Sequence, residues 1–476
     1  MDIKRLEALR TELEQFVSLF DDCIKTAPSR EHLRTYVRGQ LGQLERKSIA
    51  PIALEAEVPV RSLQEFMAIH RWDQGAVRGR VQDLVMDRHA SPNAIGIVDE
   101  TSFAKKGDKT AGVQRQYCGA TGKTDNCTVA VNLGYVTKDF HALVDSDLYL
   151  PEGWLADRDR CREAGIPDSV GYRPKWQIAV DLLKRSVDHG VVLKYLTADE
   201  EYGRCVAFRA EVARLGLEFV VEVPCSTSGW MKRPTGVEPN QKVATKGRRC
   251  RRRRLAPGSP PPRRLDALWK QRGPPWKPFH IKNTDKGPVV WQARAGRFFA
   301  WEQRLPSERL WLMVARNALD GEVKYFLSNA PPQTPLELLL HIAFSRAHIE
   351  RLFEDSKSEI GLDHFEVRHY RPLMRHLILS MVSLLFLVEQ TRTLRGEKLG
   401  VDNLPGPQRR GSAAGASDQQ RGANAPTDQG PPADRILAAI QPASPAITSA
   451  PTAPTTLATG HPSVQTNQVL QLFVAL

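Results

Sequence analysis

The stretch from Ile342 to His364 reads IAFSRAHIERLFEDSKSEIGLDH and carries Arg346, Glu350 and Lys357. Apolar residues at Ile349, Leu352, Phe353 and Ile360, with Gly361 as a stop, predict a helix. At about 100° per residue the three charged residues fall within roughly 60° of one another. An acid between two cations on one helical face can hold a metal ion and grip phosphates beside it. Arg and Glu at i and i+4 also support any solvated helix, so the stretch alone leaves both readings open.

Two more carboxylates stand upstream. AIGIVDE is a short apolar run that predicts a buried strand delivering Asp99 to its C-terminal end. VVLKYLTADEEYG predicts a second such strand, ending at Asp199. Cleaving a phosphodiester needs an activated nucleophile and a stabilised leaving oxygen. Two divalent ions about 4 Å apart supply both, and hard carboxylate ligands suit Mg²⁺, with Mn²⁺ able to substitute. Asp99, Asp199 and Glu350 would form the catalytic, metal-holding set at converging strand ends. Each has rivals: Glu100 points to the other side of its strand, Glu200 and Glu201 crowd Asp199, and Glu354 lies one helical turn after Glu350.

The elements that must position these residues follow in order. Residues 1–90 carry helical periodicity and predict an N-terminal helical domain. Two short helices broken near Val58 and Pro59 outline a helix-turn-helix, and a plain helical cap fits equally. After the Asp99 strand come strands over Cys127–Tyr135 and Phe140–Leu148, joined at Thr137-Lys138-Asp139 as a hairpin. Pro174 opens a helix closed by Gly190. The Asp199 strand, a helix over Val206–Arg214 and the strand LEFVVEVP complete the first part, residues 91–223. Lys and Arg total 67 against 54 Asp and Glu, a net +13 that points to a polyanionic partner, most simply nucleic acid. The seven Cys form no C-x-x-C pair, so neither a zinc site nor a disulfide framework is indicated. A reducing cytoplasmic setting fits best. The N-terminus shows no apolar signal core. The apolar run Leu377–Val388, about twelve residues, is too short to span a bilayer and predicts a buried helix.

The order strand with acid, hairpin, helix, strand with acid, helix, strand matches the ribonuclease-H-like fold, a mixed α/β sheet flanked by helices. The phrases IGIVDETSFAKKG, VQRQYCGATGKTDNCTVAV, LYLPEGW, LTADEEYG, KYFLSNAP and HIERLFEDSKSEIGLDHFEVR resemble the DDE transposases of bacterial insertion sequences. The resemblance spans roughly residues 35–390. It is greatest to the branch with a Tyr-Arg-Glu-Lys signature on the last catalytic helix. It implies Glu350 rather than Glu354, since the motif places its Glu seven residues before its Lys. It implies phosphate contacts for Arg346 and Lys357, where a guanidinium forks and an ammonium acts as a point charge. The Tyr is absent: Ala343 lies three residues before Arg346, with Phe344 beside it.

Residues 224–328 are rich in Arg, Pro and Trp and correspond to a β-rich insertion in the resembled branch. Short strands are expected near Val289–Trp301 and Leu310–Arg316. Arg251, Arg252, Arg253 and Arg254 are candidates for tracking a DNA backbone, as are Lys105 and Lys106 after the first Asp. Residues 329–395 return to the catalytic domain. Residues 396–476 read as a disordered, low-complexity tail. The resemblance implies a cut-and-paste transposase acting on duplex DNA, at the terminal inverted repeats of its own element and at target DNA, with a homodimer in the synaptic complex. A related ribonuclease-H-like nuclease and a decayed, non-catalytic DNA-binding protein are the alternatives.

Overall fold

Helical periodicity at the N-terminus becomes five helices: α1 (Ile3–Ser18), α2 (Ala27–Leu41), α3 (Ile49–Glu55), α4 (Val60–Ala68) and α5 (Gln74–His89). The Asp73 carboxylate caps α5 by accepting from the Gly75 N–H at 2.7 Å. Leu33, Val37, Leu63 and Phe66 turn inward and are fully buried. The computed structural model describes the backbone of residues 3–238, 252–268, 274–284 and 287–402.

Next come β1 (Ile95–Ala104), β2 (Gln114–Cys118), β3 (Lys123–Val136) and β4 (His141–Tyr149). Two short helices, α6 (Glu152–Ala156) and α7 (Arg158–Glu163), follow. Then follow α8 (Lys175–His189), β5 (Tyr195–Ala198), α9 (Glu200–Gly203), α10 (Val206–Arg214) and β6 (Glu218–Val223). Across the sheet the order is β4-β3-β1-β5-β6, with β3 antiparallel to both β4 and β1, and β1, β5 and β6 parallel. This is the mixed sheet of the ribonuclease-H-like fold. The hairpin turn closes where the sequence places it, with the Thr137 N–H donating to the Phe140 carbonyl at 2.8 Å.

The segment expected as an insertion extends this same sheet. It holds β7 (Ser228–Trp230), β8 (Gly236–Val237), β9 (Arg254–Leu255), β10 (Arg263–Arg264), α11 (Leu265–Leu268), β11 (Lys277–Thr284), β12 (Gly287–Glu302), β13 (Leu305–Asn317) and β14 (Val323–Ser328). The strands are longer than expected because β12 and β13 pair from Trp291↔Asn317 to Glu302↔Leu305. β14 then pairs antiparallel with β6, Ser328 opposite Val220.

Helices α12 (Leu336–Phe344), α13 (Ala347–Ser358) and α14 (Tyr370–Asp402) close the fold. From Tyr370 to Leu394, α14 is long and apolar enough to cross a membrane, and 89% of its most apolar window is buried inside the protein. It also binds the N-terminal helices through polar groups. The Tyr36 hydroxyl meets His376 Nδ1 at 2.7 Å, and the Gln40 amide joins Ser380 and Ser383 at 2.8 Å each. The Arg375 guanidinium donates to the carbonyls of Phe66 and Met67 in the last turn of α4 and of His70 and Trp72 just after it. The described residues up to Arg395 fall in one compact unit, positions 90, 223 and 328 among them.

Candidate active site

Asp99 sits in mid-strand, which corrects the expectation that its strand ends there. β1 runs on to Ala104 because Thr101, Ser102 and Phe103 keep pairing with Ala130, Val129 and Thr128 of β3. Its other neighbour, β5, stops at Ala198. Asp99 therefore begins the free edge, beside Asp199. Asp199 caps α9, its Oδ1 accepting from the N–H groups of Glu201 and Tyr202 at 3.0 and 3.2 Å. α9 lies so close to β6 that a Cβ on Gly203 would come within 1.8 Å of the Glu222 carbonyl oxygen.

The helix expected from Ile342 to His364 is broken, which is a second correction. α12 ends at Phe344 and α13 starts at Ala347. The Ser345 hydroxyl bonds back to the His341 carbonyl at 2.7 Å, a bond that bends helices. Arg346 occupies the joint as the N-cap of α13. Its Nη1 donates to Asp99 Oδ2 at 2.8 Å and its Nη2 meets Glu350 Oε1 at 2.9 Å. One guanidinium thus ties strand β1 to helix α13. Downstream, Gly361 adopts φ +70° and ends the segment as expected.

The rivals are drawn elsewhere. Glu354 pairs with Arg351 at 3.2 Å, and Glu201 with Arg204 at 2.7 Å. Glu100 points to the opposite face, where the Lys175 ammonium reaches it at 2.5 Å and the Tyr202 hydroxyl at 3.4 Å. Lys357 lies half-buried over the Phe103 ring, its ammonium 3.4 Å from the Ser102 carbonyl. Lys105 turns inward: it donates to the Phe365 carbonyl at 2.7 Å and lies 3.3 Å above that ring. Its placement makes it an anchor of the loop after α13, and the exposed member of the pair is Lys106. Arg252, Arg253 and Arg254 are exposed around the two-stranded β8–β9 piece, with Arg253 against Glu238 at 3.0 Å. The tail expected to be disordered from 396 instead begins as helix, since α14 runs on to Asp402, and the rest of it, like Arg251, lies outside the described residues. In place of the missing Tyr, Ala343 is buried and Phe344 packs 4.9 Å from Trp291 and 5.9 Å from Phe326.

Burial dominates the electrostatics. Asp99 is 8% exposed, and burial pushes its carboxyl up to about 7. Arg346 pulls it down, and the neighbouring Asp199 charge pushes it up again. Burial works to lower Arg346, but Asp99 and then Glu350 outweigh it and raise the guanidinium. Lys105 is lowered to about 8 by burial, and Lys357 is lowered for the same reason. Two carboxylates, Asp99 and Glu350, thus meet one forked cation, with Asp199 beside Asp99. That unbalanced oxygen set fits a hard divalent ion chemically. Among the described residues, however, no group of three His, Cys, Asp or Glu side chains is close enough together to hold an ion.

Two features escaped the sequence reading. The helix break had only Ser345 as a signal, and a single Ser in an apolar run is a weak one. On the other face of the sheet, Asp145 and Asp147 meet Arg185, Arg173 and Arg78. The i, i+2 acids of VDSDLYL carried that signal as a strand face.

The chain is 29% identical over 210 residues to the probable transposase for insertion sequence element IS701 of Microchaete diplosiphon. That match covers 44% of this chain and 51% of the relative, about half the relative's length. A solved piggyBac transposase synaptic complex with hairpin DNA overlays 78% of this chain and 68% of that one, at TM-score 0.40 and 8% identity. Residues 19–288, more than half of the chain and including both Asp99 and Asp199, match the DDE superfamily endonucleases, and the protein belongs to that family.

Proposed function

We propose that the protein is a DNA transposase that binds the terminal inverted repeats of its insertion sequence, cuts there, and transfers the freed ends to target DNA. The observation that carries this reading is the Asp99–Arg346–Glu350 bridge beside Asp199. It brings together a strand residue and a helix residue 251 positions apart, in a chain whose family is endonucleolytic. Asp99, Asp199 and Glu350 are the proposed catalytic residues and the groups that would hold Mg²⁺, or Mn²⁺ in its place. Bound divalent ions supply an activated water and a neutralised leaving oxygen.

The chain's own residues do the rest. Asp99 is fixed by the Glu100 N–H at 2.8 Å, so its carboxylate is preorganised. Asp199 is fixed by its cap bonds. Arg346 can fork onto a phosphate, and Lys357 can neutralise the next one along. The exposed Lys106 and the arginines from 251 to 254 are proposed to follow the backbone through counterion release. Synapsis of two element ends would use a homodimer. Arg346, Glu350 and Lys357 fit the Tyr-Arg-Glu-Lys branch, apart from Ala343.

The test is a linear duplex carrying the repeats that flank the gene, incubated with Mg²⁺ and the protein, its breaks mapped to the nucleotide. Cuts at the repeat boundary, lost in Asp99→Asn and Glu350→Gln with end binding retained, are expected. Binding without metal-dependent cuts would leave a non-catalytic DNA-binding protein. Preference for junctions or RNA–DNA hybrids over duplex ends would make it a related nuclease.

A further inference from the structure

Arg346 holds a position that local helix physics does not explain. A cation at a helix N-terminus faces the positive end of the macrodipole. Arg346 caps α13 there, half-buried, with 24% of its side chain exposed. What holds it is the pair of carboxylates, Asp99 at 2.8 Å and Glu350 at 2.9 Å. These are the groups assigned to cation binding in the reading above, on which this inference rests. Both Asp99 oxygens are already engaged: Oδ1 by the Glu100 N–H, Oδ2 by Arg346. Glu350 is the looser partner, 57% exposed. A divalent ion bridging these oxygens competes with the guanidinium for them, and a guanidinium that gives them up is best held by another anion. A DNA phosphate is the oxyanion that this fork matches bidentately.

We propose that Arg346 couples DNA engagement to cation loading: without DNA it bridges Asp99 and Glu350 and opposes a divalent ion, and on a DNA phosphate it releases both carboxylates to that ion. Linkage makes the effect reciprocal, so the ion tightens DNA by the same factor. Arg346 is then more than a phosphate contact. It keeps the free protein from loading its site before the substrate arrives.

The experiment measures Mn²⁺ binding to the full chain from the EPR signal of the free ion, with and without a duplex carrying the repeat. In the wild type, DNA tightens Mn²⁺ about tenfold, inside the usual range of coupling between sites. Arg346→Gln binds Mn²⁺ about tenfold tighter than wild type without DNA, and DNA then adds under about twofold. Arg346→Lys falls between, because an ammonium cannot fork across two carboxylates. It carries the comparison if the glutamine variant loses its cooperative melt. Mn²⁺ affinity that is unchanged or weaker in both variants without DNA overturns the coupling. Asp99→Asn separates the two ideas. If it leaves Mn²⁺ binding intact, the cation-site reading itself falls. If it abolishes binding while the Arg346 variants bind no tighter, only the coupling falls.

Discussion

The two faces of the central sheet each hold carboxylates, and they treat them oppositely. On the α8 face, Asp145, Asp147 and Asp181 meet Arg78, Arg173 and Arg185, three charges against three. Asp145 is fully buried, and the Arg185 fork takes both its oxygens. On the α13 face, Asp99 and Glu350 share the Arg346 guanidinium, and Asp199 stands beside them. Burial raises both Asp99 and Asp145, so desolvation does not distinguish them. The supply of cations does. The first face is neutralised from within and ties β4 to α8. The second is left short of positive charge, as a site must be if it is to draw a cation and a phosphate from outside.

Breaking the charge on each face tests this contrast. Asp199→Asn should reduce DNA cleavage by about a thousandfold, if its charge helps hold the divalent ion as proposed. Asn still caps α9, so the melting temperature should barely move. A large drop in stability without a cleavage defect would put Asp199 in the same class as Asp145. Arg185→Met should do the reverse. It leaves Asp145 buried against a more distant Arg78, and denaturant titration should show a loss of about 3–5 kcal/mol. Cleavage per folded molecule should hold.

A pH series sharpens the comparison further. The Asp99 carboxyl is raised from 3.8 to about 7 in the fold, so the folded state binds the extra proton. Its contribution to stability is full below about 4 and is lost as pH rises through about 7. Without metal, wild type should therefore lose stability over that window relative to Asp99→Asn, which carries no such proton. Parallel melting curves for the two proteins from pH 4 to pH 8 would refute a raised Asp99. The smallest effect is at Lys357, which Phe103 and Ser102 hold half-buried. Lys357→Ala should weaken end binding modestly and lower the salt slope by about one, as for one lost phosphate contact. An unchanged slope would make Lys357 a packing residue.

Much of the fold was legible because its signals are local. The β3–β4 turn, the Pro174 start and Gly190 stop of α8, and the burial of α14 depend on a few neighbouring residues. So do the strands that present Asp99 and Asp199. The lengths of β12 and β13 were not legible, since strand ends are set by the partner and its register. Nor was the inward turn of Lys105, which depends on a carbonyl 260 residues away.

By itself, the sequence determined which residue types could do the chemistry and the order of the elements that carry them. Apolar period, caps and turns are written into neighbouring side chains. Only the tertiary structure decided that Ser345 would break the last helix, that Arg346 would stand at that break, and that it would bridge to Asp99. That contact joins residues 247 positions apart. No local propensity encodes it, because the guanidinium offsets the burial of a carboxylate that only the folded sheet brings within its reach.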